Sequence, residues 1–227
     1  MKPKYILSVL MSVMILYSMV VIPVQAAEVQ NSFVGSNATQ TSGETLTYGD
    51  YEYEVKDDNM VTITKYEGSD INVIIPNTID GKSVTSIGDW AFHNWKNIIS
   101  IQVSDNVTSI GENAFSYCTS MTSISLPDNV TSISGYAFAG CNSLPNITIP
   151  KNLTSIEDDM FYNCQSLNNI VIPNGVTSIC DHAFAYCTNL TSIELPDSLI
   201  DIEGSAFDGC NSLSSITIPD SVTSIGS

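Results

Sequence analysis

The chain has 227 residues, and it carries 24 acidic residues against seven Lys and no Arg, which gives a net charge of −17. This charge argues against nucleic acid as a partner, because binding phosphate requires clustered Lys and Arg. Anionic lipid headgroups would also repel such a surface, whereas high acidity is typical of a soluble extracellular protein.

Residues 1–26 have the pattern of a secretory signal peptide. Lys2 and Lys4 precede a long apolar run, and Val24 and Ala26 place small residues at the −3 and −1 positions of a cleavage site. The run is also long enough for a retained anchor, since about 20 apolar residues span a bilayer. We expect cleavage after Ala26, which would leave a secreted or cell-surface protein with no further membrane insertion.

Two segments separate the signal peptide from the rest of the chain. Residues 27–47 are rich in Ser, Thr, Asn, Gln and Gly and have no apolar pattern, which predicts a flexible linker. In residues 48–76, short alternating apolar runs at 51–55, 61–63 and 73–75 are interrupted by Asp, Asn and Gly. This alternation predicts short antiparallel strands, and we expect them to form a small β cap.

Residues 77–227 repeat with a period of 23 residues, in six copies and a partial seventh. A period of this size predicts a solenoid, in which each coil contacts only its neighbours. Alternating runs such as 147–149 predict a short parallel strand in each copy, and Val130 and Ile133 are expected to point inward on a second short extended piece. The return segment is predicted to be a short helix or 3₁₀ turn, because its apolar residues fall at i, i+1, i+4 and i+7. An example is the set Ala137, Phe138, Cys141 and Leu144.

The repeat strings Val107-Thr-Ser-Ile-Gly-Glu-Asn-Ala-Phe115 and Leu190-Thr-Ser-Ile-Glu-Leu-Pro196 closely resemble those of the BspA-like (Treponema-type) leucine-rich repeats. The match recurs in every copy. The resemblance implies a leucine-rich-repeat solenoid in a secreted or surface-displayed protein, usually bacterial. It also implies adhesion, since better-known relatives bind extracellular-matrix and plasma proteins, and it implies no catalytic residue.

Five of the six cysteines share one position in the repeat, which suggests a disulfide or metal array as one interpretation. Parallel stacking would point all five side chains inward, however, so we expect buried free thiols that pack as small apolar groups. Cys180 belongs to another column and is expected near the surface, as an incidental thiol or as a site of dimerisation or modification. The shared column consists of Cys118, Cys141, Cys164, Cys187 and Cys210.

Other reactive residues do not form a recognisable site. His93 and His182 occupy different repeat positions, and the abundant serines form a repeat column, so the pattern predicts no catalytic triad. The run 157–159, Glu-Asp-Asp, could ligate Ca²⁺, although acids before a helical turn also favour its amide end. We expect no enzyme activity, no metal and no cofactor.

Two surface sets are candidate ligand-binding residues, since exposed strand faces and aromatic side chains often anchor partners. They favour a non-catalytic binding or adhesion module for an extracellular protein or glycan. The alternative is a spacer or stalk of a longer surface protein that carries an anchor or a catalytic domain elsewhere. The strand set is Gln102, Ser125, Thr148, Val171, Glu194 and Thr217, and the aromatic set is Tyr136, Tyr162 and Tyr186, with Trp90 and Tyr117 on equivalent segments.

The last copy stops within its pattern, at 222–227. A solenoid normally needs a polar terminal cap, and an open coil exposes inward residues such as Val222 and Ile225 together with an unpaired strand edge. We therefore expect either a fragment of a longer array or end-to-end self-association through the C-terminal coil.

Overall fold

The computed structural model describes residues 45–56 and 58–227. The signal peptide expected at 1–26 lies outside these residues, as does the expected linker up to residue 44. The last two residues of that linker, Leu46 and Thr47, lie on a β-strand.

Short strands are the only regular secondary structure of the described residues. Within those residues, no helix is long and apolar enough to cross a membrane. In chain order the strands are β1 (Leu46–Tyr48), β2 (Tyr51–Val55), β3 (Val61–Tyr66), β4 (Asn72–Ile74), β5 (Thr78–Ile79), β6 (Lys82–Ile87), β7 (Ser100–Gln102), β8 (Ser109–Ile110), β9 (Ser123–Ser125), β10 (Ser132–Ile133), β11 (Ser155–Ile156), β12 (Asn169–Val171), β13 (Ser178–Ile179), β14 (Ser192–Glu194), β15 (Asp201–Ile202) and β16 (Ser224–Ile225).

The first three strands form an antiparallel ladder that leads directly into the solenoid. β1 pairs with β2 and β2 with β3, while β3 pairs in parallel with β6. β4, which the sequence pattern groups with the antiparallel strands, pairs instead in parallel with β7. The ring of Tyr66 stacks on Phe92 with 5.2 Å between centroids, so the ladder covers one end of the core.

The repeats form a parallel β-solenoid with two strand columns, which confirms the predicted fold class. Strands of adjacent coils pair residue i with residue i+23, as Ser109 with Ser132 and Ile170 with Ile193. The inward Phe column makes a continuous stack with 5.3 to 5.7 Å between ring centroids. Its members are Phe92, Phe115, Phe138, Phe161, Phe184 and Phe207.

The return segments are not helical, and the prediction of a helix or 3₁₀ turn is wrong in this respect. In one return segment, Ala114 N and Ser116 N donate within the coil to the carbonyls of Gly111 and Asn113. The N–H groups of the alternate residues 113, 115 and 117 donate to carbonyls of the next coil. A helix would satisfy every donor locally. The apolar spacing did not distinguish the two structures, because consecutive turns also bring residues three or four positions apart to the same inward face.

The strand predicted at 147–149 is also absent, although Ile147 and Ile149 are buried. Both strand columns are interrupted near this coil, since β9 does not pair with β12, nor β10 with β11. At equivalent positions Thr122 and Thr191 donate their N–H groups to the preceding coil. Pro145 occupies this position and has no N–H to donate, which accounts for the missing hydrogen bond between this coil and the preceding one.

Candidate functional site

The strand set predicted as a ligand-binding face is exposed at all six positions but does not form one continuous sheet. Gln102 and Ser125 are neighbours on β7 and β9, and Val171 and Glu194 are neighbours on β12 and β14. Thr148 and Thr217 lie on no strand. The expected uniform ribbon is therefore two short sheets separated by the Pro145 interruption. Val171, with 58% of its surface exposed, is the apolar exception in the column.

The aromatic set lies on the return segments, where most members are exposed. Trp90, Tyr117, Tyr136 and Tyr186 are 40 to 52% exposed, whereas Tyr162 is half-buried. The four exposed residues adopt left-handed backbone conformations with φ between 57° and 62°. A bulky side chain is rarely found there, because its Cβ crowds the adjacent carbonyl.

Edge-to-face contacts join these aromatic residues within a coil and across adjacent coils. The His93 ring lies 4.8 Å from Trp90 and 5.8 Å from Tyr117, both nearly perpendicular. Farther along the stack, Tyr162 meets Tyr186 at 5.5 Å and 79°. Such contacts fix the ring orientations and leave one side of each group open to solvent.

Carboxylates lie next to two of the tyrosine hydroxyls. A hydrogen bond to Asp159 is the main cause that raises the pKa of Tyr136 to about 12, with burial and other nearby acids adding to it. A hydrogen bond to Asp208 likewise raises the pKa of Tyr186. Both tyrosines therefore stay neutral across physiological pH, with a carboxylate beside each hydroxyl.

The His93–Ser116 contact has the residue types of a catalytic dyad but not its hydrogen-bond direction. Nδ1 of His93 lies 2.7 Å from the Ser116 hydroxyl, which donates its own proton to the Asn113 carbonyl at 2.9 Å. His93 then has to donate to Ser116 instead of accepting its proton, as a general base would. Ser116 is fully buried, and burial lowers the pKa of His93. This pair is a structural hydrogen bond between coils.

The five-cysteine column is buried and unpaired, as the sequence predicted. Each Sγ donates to the carbonyl oxygen of the Phe residue 26 positions earlier, at 3.1 or 3.2 Å. Burial raises the pKa of Cys118 and of Cys164 to about 12. These thiols are consequently poor nucleophiles and metal ligands, because both roles require the thiolate.

The acids at 157–159 have separate partners instead of converging on one point. Glu157 accepts a hydrogen bond from Ser155, Asp158 accepts one from the Asp181 amide at 3.1 Å, and Asp159 bonds to Tyr136. Asp158 does come together with Cys180 and Glu203, so that one ligand atom from each lies within 4.8 Å of the others. Cys180 is half-buried, and burial together with nearby Glu203 raises its pKa to about 11, which disfavours the thiolate that would bind a metal.

A polar groove at the junction of the antiparallel ladder and the first coils is absent from the sequence predictions. It has a volume of about 470 Å³. Ser86 and Ser109 line it with hydroxyl groups 2.7 Å apart, and Glu54, Thr62 and Thr64 line the side formed by β2 and β3. The serine column signalled this surface, but its concavity arises from the neighbouring ladder, which the repeat pattern does not describe.

Known proteins provide close structural counterparts. The leucine-rich repeat protein of Treponema pallidum is 33% identical, with a TM-score of 0.76, over 81% of this chain and 86% of that one. A leucine-rich cell surface protein of Faecalibacterium prausnitzii is 39% identical, with a TM-score of 0.73, over 82% of this chain. This chain spans about half (51%) of the length of that second protein. None of the curated proteins matches the sequence.

The sequence also matches a known repeat family along most of its length. Six copies of the BspA type leucine rich repeat region match within residues 71–189 and 154–227. Together with the 23-residue coils and the inward Phe column, this match assigns the chain to the BspA-type leucine-rich repeat family.

Proposed function

We propose that this protein is a secreted or cell-surface binding module that holds an extracellular protein or glycan and catalyses no reaction. The observation that carries the proposal is the set of exposed aromatic residues on the return segments, in a backbone conformation that suits Asn or Gly better. The core does not need these side chains. Large aromatic residues with a polar end are the type that most often anchors partners.

Family and charge support an extracellular location. The matching cell surface protein of Faecalibacterium prausnitzii is a bacterial relative of this kind. The net charge of −17 and the signal-like residues 1–26 fit export and solubility. Sequencing the N-terminus of protein recovered from the medium tests this part, and the first residue should be Ala27. Recovery only in the membrane fraction, with Met1 retained, would contradict it.

Binding is tested on immobilised matrix proteins, plasma proteins and neutral glycans with two matched surface variants. The first variant, Val171→Thr with Glu194→Ser, replaces two residues of the strand set with residues that other coils carry at the same repeat position. The second changes the aromatic set, Tyr136→Asn and Tyr186→Asn, again with residues of the same columns. We expect at least one variant to weaken binding at an unchanged thermal midpoint. Binding by both variants that equals that of the unchanged chain would contradict the proposal.

A spacer role is the second candidate, and the near-uniformity of one exposed column favours it. Thr108, Thr131, Thr154 and Thr177 stand at equivalent exposed positions with identical side chains, and the column changes at the exposed Ile200. A stalk needs solubility and stiffness but no recognition, so its surface residues would repeat without variation. A chain that binds no component of the panel, yet displays a fused reporter at the cell surface, would favour this role.

A further inference from the structure

Two matched aromatic stations stand three coils apart on the return segments. Station 1 consists of His93 and Tyr117 with Trp90 beside them, and station 2 of Tyr162 and Tyr186. His93 and Tyr162 share one column, and Tyr117 and Tyr186 share another. The two edge-to-face pairs have nearly the same geometry, 5.8 Å and 82° at station 1 and 5.5 Å and 79° at station 2.

Each station has a glycine where the next coil would otherwise place a side chain. A Cβ on Gly140 would lie 2.7 Å from the Tyr117 ring, and one on Gly209 would lie 2.6 Å from the Tyr186 ring. Each tyrosine ring therefore lies against a bare backbone and still exposes 45% or 42% of the residue. The column runs Asn94, Tyr117, Gly140, Asn163, Tyr186, Gly209, a pattern that repeats every three coils.

Folding alone does not explain tyrosine at these positions. Tyr117 and Tyr186 have φ of 58° and 60°, and the same column is occupied by Asn and Gly elsewhere, which enter this region at lower cost. Strained residues of this kind cluster where a protein binds its ligands. The repeated motif thus indicates a surface kept for recognition.

The negative charge around the stations favours a cationic partner. Residues 152–227 contain ten acids and no Lys or Arg. Asp208 lies near the Tyr186 hydroxyl at station 2 and raises its pKa, and Asp89 and Glu112 lie beside Trp90 at station 1. An aromatic face next to a carboxylate suits a Lys or Arg side chain, which gains a cation–π contact and a charge-assisted hydrogen bond together. Anionic ligands would be repelled.

The distance between the two stations favours a partner that binds in an extended conformation. Successive Phe rings of the return segments lie 5.3 to 5.7 Å apart, so three coils place the stations about 16 Å apart, a span that the long side chains of two Lys or Arg residues about 13 Å apart can cover. An extended chain rises about 3.3 Å per residue and returns to the same face every second residue, so residues i and i+4 lie about 13 Å apart on one face. Residues i and i+3 point to opposite faces and cannot reach both stations.

We propose that the two stations bind an extended, basic segment of an extracellular protein through Lys or Arg residues spaced four apart. This inference rests on the proposed binding function and names its partner. Engagement of both stations by one segment makes the second contact intramolecular, which raises the affinity well above that of either contact alone.

The test compares two peptides of equal composition with the full chain. In a β-prone Thr/Val host, Arg residues stand at i and i+4 in one peptide and at i and i+3 in the other, and fluorescence anisotropy measures the affinity. We expect the first to bind at least tenfold more tightly, with the difference lost in a Tyr117→Asn, Tyr186→Asn double variant. Asn occupies the same column at positions 94 and 163, so this variant should still fold.

One more variant should strengthen binding. Lys96, at the column that holds Gln165 in station 2, places a cation in the coil of station 1. A Lys96→Gln change should therefore increase the affinity for the basic peptide several-fold, because it removes a like charge. A Thr154→Ser change, at an exposed position that belongs to neither candidate set, should leave that affinity unchanged.

Four outcomes would overturn the inference. Equal affinity for the two peptides would refute the four-residue spacing, and binding unaffected by the Tyr double variant would refute the stations. Binding of a neutral oligosaccharide but no basic peptide, lost in the same double variant, would assign the stations to a glycan instead. If matrix-protein binding depends only on the strand variant, the proposed function stands and this inference fails.

Discussion

At the residue scale, the cysteine column shows that the position of a side chain in the repeat determines whether its thiol is buried or free to form a disulfide. Five cysteines in a chain with a signal-like N-terminus suggest disulfides, but parallel stacking directs every thiol into the same core. Each thiol donates to a Phe carbonyl of the preceding coil, so the column adds side-chain hydrogen bonds to the coil-to-coil ladder. The sequence predicted burial from position alone, but the carbonyl partners required the structure.

We predict that the five buried thiols react with iodoacetamide only after unfolding. Cys118 and Cys164 have pKa values of about 12 and no exposed surface. In the native state the thiolate therefore does not form at neutral pH, and the reagent cannot reach the sulfur. Cys180 also has a raised pKa, about 11, but it is only half-buried and the reagent can reach it, so it serves as a slowly reacting internal reference. Mass spectrometry should detect modification at Cys180 alone before denaturant is added and at all six positions afterwards. A disulfide between two column members would contradict this result.

The Phe column makes a second prediction at this scale. Phe138 is fully buried and stacks on Phe115 and Phe161 at 5.6 and 5.5 Å. Phe138→Ala should lower the free energy of unfolding by about 3–5 kcal/mol, because it leaves a cavity between two rings. Thr148→Ala, at an exposed position in the next coil, should change it by less than about 0.5 kcal/mol. Urea denaturation measures both, and similar losses would contradict the role of the stack.

At the element scale, the backbone hydrogen bonds distinguish local structures that the apolar pattern alone does not separate. The pattern identified the inward residues of the return segment correctly, since Ala137, Phe138, Cys141 and Leu144 are all buried. It could not distinguish a helix from alternating turns, because both bring every third or fourth residue to one face. The left-handed residues at positions such as Asn113 and Tyr117 are incompatible with a helix, and aromatic residues there give no sequence signal for that conformation.

Pro145 provides a prediction for the interrupted strand column. Pro145→Thr supplies the N–H that Thr122 and Thr191 donate at equivalent positions, so its amide should bond to the carbonyl of Thr122. The bond contributes about 1 kcal/mol, and the loss of proline's rigidity offsets most of it, so stability should change by less than about 1 kcal/mol. Hydrogen exchange followed by NMR should show a protected amide at residue 145, comparable to those of Thr122 and Thr191. Rapid exchange at 145 would mean that another feature interrupts the column.

At the scale of the whole molecule, the sequence predicted the solenoid because one period specifies every coil. It was less informative about surfaces that depend on several coils. The two aromatic stations become visible only when columns are compared three coils apart, and the polar groove requires the ladder of β2 and β3 beside the first coils. A consensus sequence of one coil does not show the stations, because it averages positions that differ from coil to coil. It does not show the groove either, because β2 and β3 lie outside the repeats.

The two ends of the described solenoid differ in how the core column is closed. At one end Tyr66 stacks on Phe92 and Tyr51 contacts Tyr66 at 5.4 Å, so aromatic residues of the ladder cover the column. At the other end, the Ile ladder is 0% exposed at Ile179 and 4% at Ile202 but 62% at Ile225. The edge of β16 pairs only with β15.

We predict that the 227-residue chain self-associates through this open end. Pairing two β16 edges would bury Ile225 and satisfy free backbone groups, and association should stop at a dimer because the other end is covered. Ile225→Glu should abolish the dimer, since it places two like charges in the contact, whereas Thr223→Glu, with the same charge at an exposed neighbour, should weaken it less. Sedimentation velocity measures the dimer, and hydrogen exchange in β16 should slow as concentration rises. A monomer at every concentration, with β16 protected as well as β13, would contradict the prediction, because the last coil would then be stable without a partner.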